Sequence, residues 1–223
     1  MRVIPAPQVE QALGERALVE RLRQAFRGEA VVPLRQHLAI PDEETREGTL
    51  LIMPAWTSGR HIGIKIATVF PENEQRSLPS IMASYLLLSG RTGQPVAFMD
   101  GRVITLKRTA CASALAAEYL ARQDAERLLM VGTGALAPYL IRAHATVRPI
   151  CNVLVWGRDP AKARSLAKQL DRPDFRVAAT GDLAEAARGA HVISCATMAT
   201  EPLIRGEWLR NGQHLDLVGG FTP

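Results

Sequence analysis

The run Glu-Arg-Leu-Leu-Met-Val-Gly-Thr-Gly-Ala-Leu-Ala at residues 126–137 constrains this chain more than any other stretch. An apolar strand-like segment ends in Gly132-Thr133-Gly134, and an Ala-rich helical segment follows at once. Gly132 permits a sharp exit from the strand, and Gly134 leaves bare backbone where a pyrophosphate can approach. Ala137, where a third glycine often sits, is small enough to let helix pack on strand. The N–H groups of the following helix would then hold the phosphates, with Thr133 inside the same turn.

The alternation continues beyond this point. Apolar strand-like runs at 127–131, 152–156, 175–178, 191–196 and 214–218 are interleaved with helical patterns at 135–146, 160–170 and 182–188. Alternating β and α segments of this length predict a parallel, doubly wound sheet, so the class is α/β with a dinucleotide-binding domain over 123–223. The chain stops at Gly219-Gly220-Phe221-Thr222-Pro223, directly after a strand, so the C-terminal part of such a fold is expected to be missing.

Residues 1–122 read differently. A helix is expected over 8–27, with Leu13, Leu18, Leu22 and Phe26 as its apolar positions. Strands follow at 34–40, 49–54, 61–69, 85–88 and 96–99, without intervening helices and with a turn at Gly90–Gly93. This is an antiparallel or mixed sheet, an α+β unit distinct from the second domain. A strong helix over 105–122 leads out of it.

Composition narrows the function classes. The hydrophobic share of 47% is that of a globular chain, and no apolar run is long enough to span a bilayer. Cys111, Cys151 and Cys195 lie far apart and read as reduced thiols of a cytoplasmic protein. The histidines are scattered and no zinc spacing occurs, so no metal is expected. The net charge of +5 is spread along the chain without basic runs, which argues against a nucleic-acid partner and suits a phosphorylated cofactor and a carboxylate substrate.

Three further places carry chemistry. In 61–67, Ile62, Ile64 and Ile66 share one strand face, while Gly63, Lys65 and Ala67 share the other. Lys65 therefore projects either into a cavity lined by small residues or into solvent from an edge strand. Arg108 is placed in the first turn of the 105–122 helix, with Thr105 as its cap, where an anion could bind; a plain surface arginine is the alternative. After the second strand of the parallel sheet, Trp156 reads as core packing. Gly157 takes the tip where an NAD site commonly has an acid, and Arg158 and Lys162 follow. That favours NADPH, with NADH possible and Asp159 as the feature against.

Together, Gly63-Ile64-Lys65, Ile104–Ala110 with Ser113–Ala117, Val131–Ala135 and Asp216–Gly220 resemble the ornithine cyclodeaminase/mu-crystallin family over nearly the whole chain. The resemblance implies a homodimer with an N-terminal substrate and dimerisation domain and a Rossmann domain. It implies that Arg35, Lys65 and Arg108 bind the substrate carboxylate, with Lys65 also catalytic. Ser80, Arg108, Thr109, Ala135, Leu136, Arg158, Thr197, Val218 and Gly219 would line the cofactor beside the glycine turn. The chain departs from the cyclodeaminase pattern at two places. Phe221 replaces an aspartate after the Val-Gly-Gly turn, and Leu51 and Ile52 stand where an acid precedes Met53-Pro54. Without those carboxylates, amine oxidation, cyclisation and ammonia loss lack a proton carrier. The implied activity is therefore NADPH-dependent reduction of a cyclic ketimine carboxylate. An ornithine cyclodeaminase, an alanine or alcohol dehydrogenase, and a non-catalytic NADPH-binding protein are the alternatives.

Overall fold

The computed structural model describes residues 1–41 and 48–219. It divides into two compact units, one built from residues 1–14 and 23–105, the other from 15–22 and 106 onward.

The first unit is a mixed six-stranded sheet. Its strands are β1 (Arg2–Ile4), β2 (Gln36–Ile40), β3 (Gly48–Thr57), β4 (His61–Val69), β5 (Ile81–Ser89) and β6 (Pro95–Asp100). The order is β1-β6-β5-β4-β3-β2, antiparallel throughout except for the parallel pair β1–β6. The single helix expected over 8–27 is two: α1 (Ala6–Ala12) and α2 (Glu15–Arg27). Gly14 separates them, taking extended backbone as the N-cap of α2.

The second unit is a parallel five-stranded sheet of β7 (Arg127–Val131), β8 (Asn152–Trp156), β9 (Arg176–Ala179), β10 (Val192–Cys195) and β11 (His214–Leu217). Its order, β11-β10-β7-β8-β9, makes β7 and β10 the neighbours at which the winding reverses. The connecting helices are α4 (Ala137–Val147), α5 (Pro160–Leu170) and α6 (Leu183–Gly189), after the long α3 (Gly101–Leu120). Side chains alternate between two cores. Leu128, Met130, Val153, Val155 and Val192 pack with residues of α3, α4 and α5, whereas Leu129, Val131 and Ile193 pack with α6 and Trp156. Burial on both faces of β7 and β10 explains why these two strands read as unbroken apolar runs, while β8 exposes Asn152 and Leu154 on one side.

Candidate functional site

The close approach of three strand ends shapes the candidate nucleotide site. Gly132 leaves β7 with φ of +121°, a conformation that only glycine takes without strain. A Cβ there would collide with the carbonyl oxygen of Ala196, just beyond β10. A Cβ on Gly219 would likewise run into the backbone of Thr197. Val218 and Gly219 both donate backbone N–H bonds to the Cys195 carbonyl, each at 3.0 Å. Gly132, Thr197, Val218 and Gly219 are thus brought together at the carboxyl ends of β7, β10 and β11, where ligands of doubly wound sheets bind.

Gly134 has nothing within 4 Å of the position its Cβ would take. Next to it, α4 begins at Leu136 without a side-chain cap. The turn offers bare backbone and an uncapped helix start, which fits a pyrophosphate. Ala135 and Leu136 lie in the connection, so the helix expected from 135 starts at 137. On the β8 side, Gly157 sits against Thr133: an added Cβ would stand 2.7 Å from Thr133 Cγ2. Arg158 is exposed beyond it. The Asp159 carboxylate is occupied as the N-cap of α5, accepting from Ala161 N at 2.8 Å and Lys162 N at 3.3 Å. The feature that counted against NADPH therefore has a local structural role.

In the first unit, Lys65 stands on β4 between β3 and β5, a central strand rather than an edge. Its cross-strand partners are Met53 and Tyr85, and Leu51 pairs with Ala67 on the same face. Of Leu51 and Ile52, the two residues that stand where the cyclodeaminase pattern has an acid, Leu51 thus lies in the row next to Lys65 and Ile52 on the opposite face, and neither the Leu51 row nor the Lys65 row contains a carboxylate. Gly63 makes room for Tyr85, whose hydroxyl fills the place of the missing Cβ, and burial pushes the Tyr85 pKa up. Lys65 Nζ donates to Thr105 Oγ1 at 3.3 Å, and that hydroxyl donates to the Gly101 carbonyl at 2.8 Å.

Thr105 is therefore not a helix cap. Helix α3 starts four residues earlier, capped by Asp100, whose Oδ1 accepts from Val103 N at 2.7 Å. The placement of Arg108 in the first turn is corrected accordingly: it is exposed two turns inside α3, and any anion there meets its guanidinium without the helix terminus. Thr109 follows it, half-buried. Arg35 is exposed just before β2. Ser80 directly precedes β5, and its carbonyl accepts from Phe70 N at 2.8 Å. Phe221, with Gly220, Thr222 and Pro223, lies outside the described residues.

One buried constellation escaped the sequence reading. Asp216 on β11 accepts from Ser194 Oγ of β10 at 2.7 Å and Ser113 Oγ of α3 at 3.0 Å, and its Oδ2 lies 3.2 Å from His144 Nε2 of α4. Burial alone would raise the Asp216 pKa, but the contacts with His144, Ser194 and Ser113 bring it below the usual value. His214, two residues earlier on the same face, has its pKa lowered, chiefly by burial and against the pull of Asp216. An aspartate inside His-Leu-Asp-Leu gives the only hint of this network in the sequence.

Among the described residues no cluster of His, Cys, Asp and Glu could hold a metal ion, and no helix is long and apolar enough to cross a membrane. The profile of the ornithine cyclodeaminase/mu-crystallin family matches residues 3–223. The Δ1-pyrroline-2-carboxylate reductase of Colwellia psychrerythraea is 35% identical over 98% of this chain and 70% of its own length. The solved Δ1-pyrroline-2-carboxylate reductase of Thermococcus litoralis, in complex with NADH and L-proline, superposes with a TM-score of 0.88. It is 31% identical, with 96% of this chain and 68% of that one covered. An archaeal alanine dehydrogenase dimer with bound NAD gives a TM-score of 0.85 at 27% identity, over 96% of this chain and 66% of that one. With its sheet order, its glycine turn and this likeness along nearly its whole length, the chain belongs to the ornithine cyclodeaminase/mu-crystallin family.

Proposed function

We propose that this chain reduces the C=N bond of a cyclic ketimine carboxylate, Δ1-pyrroline-2-carboxylate or Δ1-piperideine-2-carboxylate, to L-proline or L-pipecolate. The observation that carries this reading is the carboxylate-free row around Lys65, with Leu51 and Ile52 where the cyclodeaminase pattern has an acid. Deamination needs a carboxylate to move protons at the amine, whereas reduction needs a bound substrate carboxylate, a hydride and one proton.

NADPH, held by Gly132, Thr133, Gly134, Ala135, Leu136 and Arg158 with Ser80, Arg108, Thr109, Thr197, Val218 and Gly219, supplies the hydride when bound. Arg158 pairs with the 2′-phosphate, and NADH is the weaker substitute. Lys65, Arg108 and Arg35 hold the substrate carboxylate, the arginines through paired N–H donors and Lys65 as a point charge. Their combined charge draws the anionic substrate and fixes the orientation of its imine carbon. Lys65 or a water beside it delivers the proton to the imine nitrogen.

Residues 1–122 bind substrate and dimerise, and residues 123–223 bind the nucleotide. The partner is a second copy of the chain, docked on the face of the six-stranded sheet that carries Ile62, Ile64 and Ile66. There Val3, Leu38, Trp56, Ile66, Met82 and Phe98 are all exposed. The three cysteines are free, which suits the cytoplasm.

The test is NADPH oxidation followed at 340 nm (the wavelength of reduced nicotinamide) with each ketimine in turn. Turnover of at least one is expected, and a folded protein that turns over neither sinks the proposal. Ammonia released from ornithine without added reductant would replace it with the lyase reading.

A further inference from the structure

We propose that Thr105 is the positioning residue of Lys65, fixing where its ammonium stands on the small-residue face of β4. The proposal rests on the reading of Lys65 as a substrate-binding residue. A hydroxyl has one proton and two lone pairs. The Thr105 proton is committed to the Gly101 carbonyl at 2.8 Å, so the direction of its lone pairs is set by the helix, and Lys65 Nζ lies 3.3 Å away on that side.

The fold supplies this contact through glycine. Gly101 opens α3, and a Cβ on it would stand 2.7 Å from the backbone of Ser84 in β5. Only glycine lets the helix start press this closely on the strand. Asp100 caps the first turn, and Thr105 comes one turn later, level with β4. On the sheet itself, the Tyr85 ring leans over Gly63, next to the lysine stem. A lysine side chain loses rotamer freedom whenever it grips an anion. Anchoring the ammonium in advance removes part of that loss from the binding step, which is preorganisation by a neutral neighbour.

Two variants separate this role from packing. Thr105→Val keeps the shape and removes the hydroxyl; Thr105→Ser keeps the hydroxyl and removes a methyl group. For Thr105→Val, the KM for the ketimine is expected to rise roughly tenfold or more, with kcat less affected, as for a misplaced binding group. Affinity for NADPH and the melting temperature should stay close to wild type, and Thr105→Ser should recover most of the loss. A second readout does not depend on turnover. Reductive methylation of Lys65, resolved by peptide mass spectrometry from Lys107, Lys162 and Lys168, is expected to proceed several-fold faster in Thr105→Val than in wild type or Thr105→Ser. A wild-type methylation rate in Thr105→Val, or a Thr105→Ser variant as impaired as Thr105→Val, overturns the proposal. If wild type turns over neither ketimine, the functional reading fails while the methylation rates still decide the role of Thr105.

Discussion

Arg158 is exposed one residue beyond Gly157, at the tip of the strand that should meet the adenosine ribose. A charge-assisted phosphate contact contributes about 1.5–3 kcal/mol, roughly ten- to a hundredfold in affinity. Arg158→Ala is therefore expected to weaken NADPH binding by that factor and leave NADH within about twofold, as calorimetry at fixed salt would read. Equal affinity of wild type for the two nucleotides would make Arg158 an ordinary surface residue. The companion change Gly157→Asp, attractive on sequence grounds as a ribose-binding acid, is a poor test. Its Cβ would stand 2.7 Å from Thr133 Cγ2 and disturb the phosphate turn itself. Gly132 was legible in the sequence because the strand–turn–helix context demands a residue free to take positive φ. Asp216 was not, because its partners are remote: Ser113 lies 103 positions away and His144 72. Only the folded sheet assembles such a network.

Helix α3 shows how local signals mislead about the ends of elements. The sequence pattern places the start of this helix at 105, and an Asp-Gly pair such as Asp100-Gly101 is as compatible with a turn as with a helix start. In the structure Asp100 is the cap and Gly101 the first helical residue, because β5 passes too close for a side chain. The other end of α3 is held by a residue outside the helix. Arg148 Nη2 donates to the carbonyls of Glu118 at 2.6 Å and Ala121 at 2.8 Å, satisfying acceptors that a helix end leaves unpaired. Arg148→Ala should cost about 2 kcal/mol in denaturant unfolding, as loss of hydrogen bonds to a charged, half-buried donor. A second expectation concerns β11. His214 and Asp216 both have folded pKa values below their ordinary 6.5 and 3.8. A lowered pKa means the unfolded state binds protons more readily, so this stability is present above the ordinary values and is lost as pH falls. Melting temperature should start to drop below pH 6.5 through His214, and again below pH 3.8 through Asp216. His214→Gln should flatten the first of these declines; an unchanged slope would show that His214 does not drive it.

Across the whole molecule, what the sequence encoded most ambiguously is which apolar faces are covered. Ile62, Ile64 and Ile66 share one strand face, and the sequence leaves open whether Lys65, on the other face, enters a cavity or meets solvent. Within the described chain the small-residue side is the covered one. Gly63 and Ala67, beside Lys65, are buried, while Ile66 is 40% exposed and Gly48, at the start of β3, is the one buried residue on its face of β3, β4 and β5. Period-2 alternation specifies an apolar face and says nothing of what packs on it. An open sheet face of this extent is costly in water, and a self-complementary contact about a two-fold axis is the commonest way to bury one. Ile66→Asp and Phe98→Asp, at the centre of that face and toward its β6 side, place charge where the second copy would dock. In multi-angle light scattering, wild type at tens of micromolar should run as a dimer and each variant as a folded monomer with unchanged far-UV dichroism. Affinity for NADPH should hold, since these residues lie in the other unit from the glycine turn. A monomeric wild type, or aspartate variants that remain dimers, would leave the isoleucine face without this occupant.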